Sequence, residues 1–109
     1  MTTDNETSEE AIPGGRLRVR QPLRGHRVGH DAILLAAATC ARATERTIEL
    51  GAGVGAAAFA IATRVPGMKV TLVEIDPALC VLAKHNARLN GLEDRVRVFG
   101  ADAESTESL

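Results

Sequence analysis

Residues 47–55 read Thr-Ile-Glu-Leu-Gly-Ala-Gly-Val-Gly, and an alanine-rich stretch follows directly, reaching about Arg64. Few arrangements accommodate such a run. Thr47, Ile48, Glu49 and Leu50 suit a short strand. Gly51, Gly53 and Gly55 let the backbone turn tightly and approach a ligand with no side chain in between. The alanines after them favour a helix that can lie close against a sheet. A strand, a glycine loop and a helix in this order open a β-α-β unit.

The rest of the chain extends that unit. Pro66 and Gly67 turn the chain, and Val70 to Val73 form a second strand reaching Glu74. Asp76 and Pro77 supply an N-cap and a first-turn proline for another helix. Leu79, Leu82, Asn86 and Leu89 recur along it at helical spacing, and Asn90-Gly91 ends it. Val96, Val98 and Phe99 give a third strand. The core is therefore β-α-β-α-β over residues 47–99, which implies a parallel sheet. Ligands in such sheets sit at the carboxyl ends of the strands. Those ends hold Gly51 to Gly55, Glu74 to Asp76, and the Gly100-Ala101-Asp102-Ala103 run.

Upstream, Leu17 and Val19 alternate with Arg16, Arg18 and Arg20, the pattern of a strand with one apolar and one arginine face. Pro22 ends it, and residues 23–30 read as a loop. Asp31 is expected to cap a helix running to about Ala43. Residues 1–13 are expected to form a disordered acidic tail, residues 14–46 a basic strand, loop and helix, and residues 47–109 the core.

The glycine loop alone leaves the ligand open. Gly51, Gly53 and Ala56 satisfy a dinucleotide fingerprint, with Glu74 near the place of a ribose acid. Three features favour S-adenosylmethionine instead. Glu49 lies two residues before the first glycine, where an acid suits a cation and does nothing useful for a pyrophosphate. Asp102 can accept a hydrogen bond from an adenine amine. About 45 residues precede the first core strand, whereas dinucleotide domains often begin with it. Glu74 can accept both ribose hydroxyls. The cofactor-binding set is thus Glu49, Gly51, Ala52, Gly53, Val54, Gly55, Glu74, Ile75, Asp102 and Ala103.

Composition limits the alternatives. A chain of 109 residues allows one small domain. A net charge of -1 does not describe a wholly basic nucleic-acid binder. The charge is segregated, however. Glu6, Glu9 and Glu10 lie in the tail, while Arg16, Arg18, Arg20, Arg24 and Arg27 form a basic patch suited to nucleic-acid phosphates. Phe59 and Phe99 are the only aromatic residues, so there is no platform for stacking bases. Cys40 and Cys80 are expected to be small core residues. His26, His30 and His85 do not make a metal site with them. No secretory leader or membrane span is legible, so a cytoplasmic protein is expected.

Together, Glu49-Leu-Gly-Ala-Gly-Val-Gly55, Val73-Glu-Ile-Asp-Pro77, Ala83-Lys-His-Asn86 and Leu89-Asn-Gly91 resemble class I methyltransferases. The upstream blocks Gly15-Arg-Leu-Arg-Val-Arg-Gln-Pro22 and Gly25-His-Arg-Val-Gly-His-Asp-Ala-Ile-Leu-Leu-Ala36 are similar to those of bacterial tRNA(Val) adenine-37 N6-methyltransferases. The resemblance spans about residues 14–103. It implies an α/β, partial Rossmann-like class I methyltransferase fold with an N-terminal strand and helix. It also implies S-adenosyl-L-methionine over Gly51 to Gly55, the ribose acid at Glu74 and the adenine-side acid at Asp102. In that family the segment around Arg27 to Asp31 helps close the site, and tRNA or another nucleic acid is the partner.

Members of that family carry a further strand ending in Asn-Pro-Pro-Tyr, which holds the target amine and stacks on the flipped base. This sequence has no Tyr and no Pro-Pro pair. No catalytic residue is therefore assigned, and the chain is expected to be a fragment that is inactive alone. Ile48 to Leu50 are then expected to form an exposed sheet edge through which copies associate. Two other readings stay open: a non-catalytic oligomeric remnant of a methyltransferase, and an NAD-binding oxidoreductase domain.

Overall fold

The computed structural model describes residues 6–12, 17–25, 28–102 and 104. Two N-terminal strands, β1 (Thr7–Ala11) and β2 (Arg18–Pro22), precede helix α1 (His30–Ala38). The core then runs β3 (Arg46–Leu50), α2 (Ala56–Arg64), β4 (Lys69–Glu74), α3 (Pro77–Leu89) and β5 (Val96–Gly100). Strands β3, β4 and β5 form a parallel sheet with β4 in the centre. The register pairs Leu50 with Val73 and Glu74 with Gly100. This brings the carboxyl ends of all three strands to one rim, as the alternation of strands and helices predicts.

The helices pack on one face of that sheet. Val70 and Leu72 of β4 and Val96 of β5 point into a core filled by Phe59, Ile61 and Ala62 of α2 and by Ala83 and Ala87 of α3. Alternate strand residues turn the other way. On that face Ile48 and Leu50 of the edge strand β3 are 66% and 56% exposed, and Phe99 is also exposed.

Residues 7–11, expected to be disordered, form β1 and pair antiparallel with β2. The reason is charge complementarity across the two strands. Glu9 accepts hydrogen bonds from Arg18 Nε at 2.8 Å and Arg20 Nη2 at 3.4 Å, and Arg20 Nη1 also bonds Thr7 Oγ1. Glu9 of the acidic block thus pairs with two arginines of the basic block. Beneath them Ile12, Leu17 and Val19 join the same core as α2 and α3. The backbone of β2 is held to α3 by two asparagines. Asn90 bonds the N–H and C=O of Arg18, and Asn86 bonds those of Arg20.

Helix α1 differs from expectation at both ends. Gly29, not Asp31, occupies the N-cap position, and Asp31 lies in the first turn. The helix stops at Ala38 rather than near Ala43. Its last carbonyls find partners that end it: Thr39 Oγ1 donates to Leu35 O, and Arg64 of α2 donates to the carbonyls of Ala36 and Thr39. Asp76 caps α3 as predicted, accepting from Ala78 N at 2.9 Å. Cys80 is buried, but Cys40 is exposed, contrary to its expected core position.

The C-terminal end of α2 depends on a residue from the far side of the sheet. Arg95 donates to the carbonyls of Ala62, Val65 and Met68 at 2.9–3.1 Å. Arg95→Ala strands these acceptors and should cost about 1–3 kcal/mol, read as a lower urea midpoint with an unchanged denaturant slope.

Candidate cofactor-binding site

Three glycines of the loop after β3 adopt positive φ: Gly51 (65°), Gly53 (61°) and Gly55 (94°). Gly55 is also the N-cap position of α2, and a Cβ there would run into Cε2 and Cζ of Phe59. Glycine is therefore required at Gly55 on two grounds, backbone conformation and space. The loop is tied to the sheet by Ala52 N–H, which donates to Val73 O at 3.1 Å.

Glu74 completes the loop from the end of β4. Its Oε1 accepts from Gly53 N at 2.7 Å and its Oε2 accepts from Asp76 N at 2.9 Å. The side chain is only 7% exposed. Both oxygens are thus engaged with backbone amides, while each keeps a further lone pair. Loop bracing is a role that the motif alone does not reveal. Ile75 beside it is exposed. Asp102, just beyond β5, is exposed and accepts from Glu104 N at 2.9 Å, closing a local turn. Ala103 lies outside the described residues.

A cavity of about 330 Å³ opens between this loop and α1. Glu49, Gly51, Ala52 and Val54 line one wall, and Val28, Gly29, Asp31, Ala32 and Leu35 line the other. Glu74, Ile75 and Asp102 lie at the strand ends but not on this wall. Val28, Gly29 and Asp31 fall in the segment that the resemblance sets beside the site, whereas Leu35 escaped the reading because α1 meets the loop only in the folded chain. Glu49 lines the cavity, and its Oε1 is a buried side-chain oxygen with no hydrogen-bond partner among the described residues. Burial pushes the Glu49 carboxyl up to about 7, and a hydrogen bond from the Ala58 backbone pulls it back only in part. A carboxyl beside a glycine loop, with one oxygen lacking a partner, is suited to receive a positively charged group.

Three arginines of the basic patch lie among the described residues. Arg18 and Arg20 are committed to Glu9, and the Arg18 hydrogen bond holds the Glu9 carboxyl below its usual range. Arg24 is exposed in the loop after β2. Arg16 and Arg27 lie outside the described residues. No cluster of metal-ligating side chains occurs among the described residues, and no helix there is long and apolar enough to cross a membrane.

A model of the TRM5/TYW2 methyltransferase domain matches residues 34–108. The chain belongs to this family. A curated relative of this family member is the tRNA1(Val) (adenine(37)-N6)-methyltransferase of Bacteroides thetaiotaomicron, 32% identical over 77 residues, 70% of this chain and 32% of that protein. P. horikoshii TYW2, solved in complex with MeSAdo, superposes with a TM-score of 0.77 at 20% identity, covering 93% of this chain and 38% of that one. That likeness establishes the partial Rossmann-like class I methyltransferase fold. A SAM-dependent methyltransferase from Geobacter sulfurreducens, solved in complex with S-adenosyl-L-homocysteine, superposes at 0.62 with 26% identity, covering 72% of this chain and 33% of that one. The chain spans between 20% and 35% of the curated relatives it matches.

The state of Glu49 has a consequence for stability. Its pKa in the fold, about 7, lies above its ordinary value of 4.5. The folded chain therefore binds more protons than the unfolded chain between these values. This group's contribution to stability falls as pH rises through that window. Glu49→Gln should flatten that fall and raise the melting temperature at pH 8, measured by thermal unfolding monitored by circular dichroism from pH 5 to 8.

Proposed function

We propose that this chain is the cofactor-binding part of an S-adenosylmethionine-dependent methyltransferase, and that its whole protein methylates the N6 amine of an adenine in tRNA. The observation that carries the cofactor reading is Glu49, which lines a cavity bounded by the glycine loop and whose buried Oε1 has no partner among the described residues. A dinucleotide brings a pyrophosphate to such a loop, and an acidic side chain there opposes it. S-adenosylmethionine brings an ammonium and a sulfonium, which that carboxylate favours. The residues present therefore fit the cofactor. The tRNA part is supported by the family and by the names of its relatives.

When bound, the cofactor would supply an electrophilic methyl group on a sulfonium to an acceptor amine. The chain's own residues prepare for that step without entering it. Gly51 to Gly55 offer a backbone surface with no side chains in the way. Glu49 holds positive charge. Glu74, through its remaining lone pairs, accepts ribose hydroxyls while it braces Gly53. Ile75 would cover one side of the nucleoside and Asp102 would receive the adenine edge, and Ala103, outside the described residues, belongs to the same proposed set. Arg16, Arg18, Arg20, Arg24 and Arg27 belong to the proposal as phosphate contacts. For Arg18 and Arg20 an RNA phosphate must then compete with Glu9. With no Tyr and no Pro-Pro pair, none of these residues holds the acceptor amine, so the chain alone is inactive. The exposed edge of β3 supports self-association in the same reading.

Binding should be linked to protons with a definite sign. Below about pH 7 Glu49 is largely neutral, and a bound cation must displace its proton. Affinity for S-adenosylhomocysteine, which keeps the ammonium, should rise from pH 5.5 to pH 8 with proton release on the acidic side. Glu49→Gln should bind about tenfold more weakly at pH 8, the scale of a hydrogen bond to a charged group, and lose the slope. Calorimetry in buffers of different ionisation enthalpy reads both. Equal affinity for NAD, or no binding at any pH, would overturn the cofactor reading.

A further inference from the structure

The N-terminal hairpin reaches both walls of the cofactor cavity through two adjacent residues of β2. On the loop side, Asn86 of α3 is fully buried. Its Oδ1 accepts from Arg20 N at 2.6 Å, and its Nδ2 donates to Arg20 O and to Val54 O, each at 3.0 Å. One side-chain amide therefore joins the backbone of β2 to the glycine loop. On the α1 side, the buried Gln21 accepts from Val28 N at 2.7 Å. Val28 and Val54 stand on the opposing walls of the cavity.

The chemistry of these contacts is demanding. A buried amide side chain that loses one partner leaves a polar group unsatisfied, and that is costly in a low-dielectric interior. If β2 leaves α3, Asn86 loses two of its partners, and the third, Val54 O, is no longer held by an oriented donor. Val28 loses its acceptor in the same event. The loop and the opposing wall then both relax. Asn90 repeats the clamp one helical turn along, on Arg18, but contacts neither cavity wall. Residues 86 and 90 thus separate two functions: both dock the hairpin, and Asn86 alone passes that docking to the loop.

We infer that docking of the β1–β2 hairpin sets the width of the cofactor cavity, with Asn86 and Gln21 as positioning residues, so that hairpin docking and cofactor binding strengthen each other. The ligand side of this inference rests on the cofactor reading above; the coupling of hairpin to loop does not. Coupling between two sites is reciprocal. A ligand that closes on the loop must also protect the hairpin, and loosening the hairpin must weaken the ligand by the same factor.

Amide hydrogen exchange by NMR on the full chain tests this without a ligand. The reporting amides are Arg18 and Arg20 in the hairpin, Val28 on one wall, and Gly53 and Gly55 in the loop. In the unaltered chain under low denaturant, these amides are expected to open in one step, ahead of Leu72 in the central strand. Asn90→Ala, which alters no residue of the cavity, should speed exchange at Arg18 and Arg20 by tenfold or more and carry Gly53 and Val28 with it, while the ratio to Leu72 shows that global unfolding is not responsible. Hairpin amides that open alone, leaving Gly53 and Val28 at their original rates in either experiment, would overturn the inference. The denaturant experiment decides the matter even if Asn90→Ala does not fold.

Titration with S-adenosylhomocysteine then reads the linkage. The expected result is severalfold weaker binding by Asn90→Ala and slower exchange at Arg20 in the liganded chain. Unchanged affinity beside a chain that binds normally would overturn the linkage. Failure of the unaltered chain to bind would instead count against the cofactor reading, with the exchange result standing by itself.

Discussion

The site depends on one carboxylate that lies beneath it. Glu74 ends the central strand and accepts from Gly53 N on one oxygen and Asp76 N on the other. The first bond fixes the middle of the glycine loop. The second fixes the turn into α3, whose own first turn is capped by Asp76. A residue with an apolar side chain at this position would leave both amides without an acceptor in a buried place. The loop, the start of α3 and the end of β4 are therefore one hydrogen-bonded unit. Positive φ at Gly51, Gly53 and Gly55 is what allows the chain to enter it.

Around that unit the molecule is asymmetric. The helices and the hairpin bury one face of the sheet, and the opposite face shows Ile48, Leu50 and Phe99 to solvent. Parallel sheets are ordinarily covered on both faces. The chain spans about a third or less of the curated relatives it matches, and its described residues hold a parallel sheet of three strands.

Much of the fold was legible because its signals are local. The strand, glycine loop and helix at residues 46–64, the Asp76-Pro77 helix start and the Asn90-Gly91 stop are each written within a few positions. What escaped was decided by partners far along the chain. Strand β1 looks like a solvated acidic tail until Glu9 meets Arg18 and Arg20. Helix α1 ends at Ala38, where Arg64, 28 residues beyond Ala36, satisfies its carbonyl. In the site, the glycines and Glu49 were visible in the motif, but the orientation of Glu74 into the loop and the reach of Asn86 to Val54 were not. Both are buried polar side chains whose partners exist only once the core has formed. The arginine face could be seen as a pattern, whereas its pairing with the tail could not.

The central claim is that the glycine loop receives the S-adenosyl group. Its most direct test is an amide-resolved NMR titration of the labelled chain with S-adenosylhomocysteine. The predicted result is saturable shifts concentrated at Ala52, Gly53, Val54 and Gly55, at Ile75, and at Ala101 and Asp102, with little change on the exposed face around Ile48 and Arg97. Shifts confined to that exposed face, or none at ligand concentrations that saturate relatives, would contradict it.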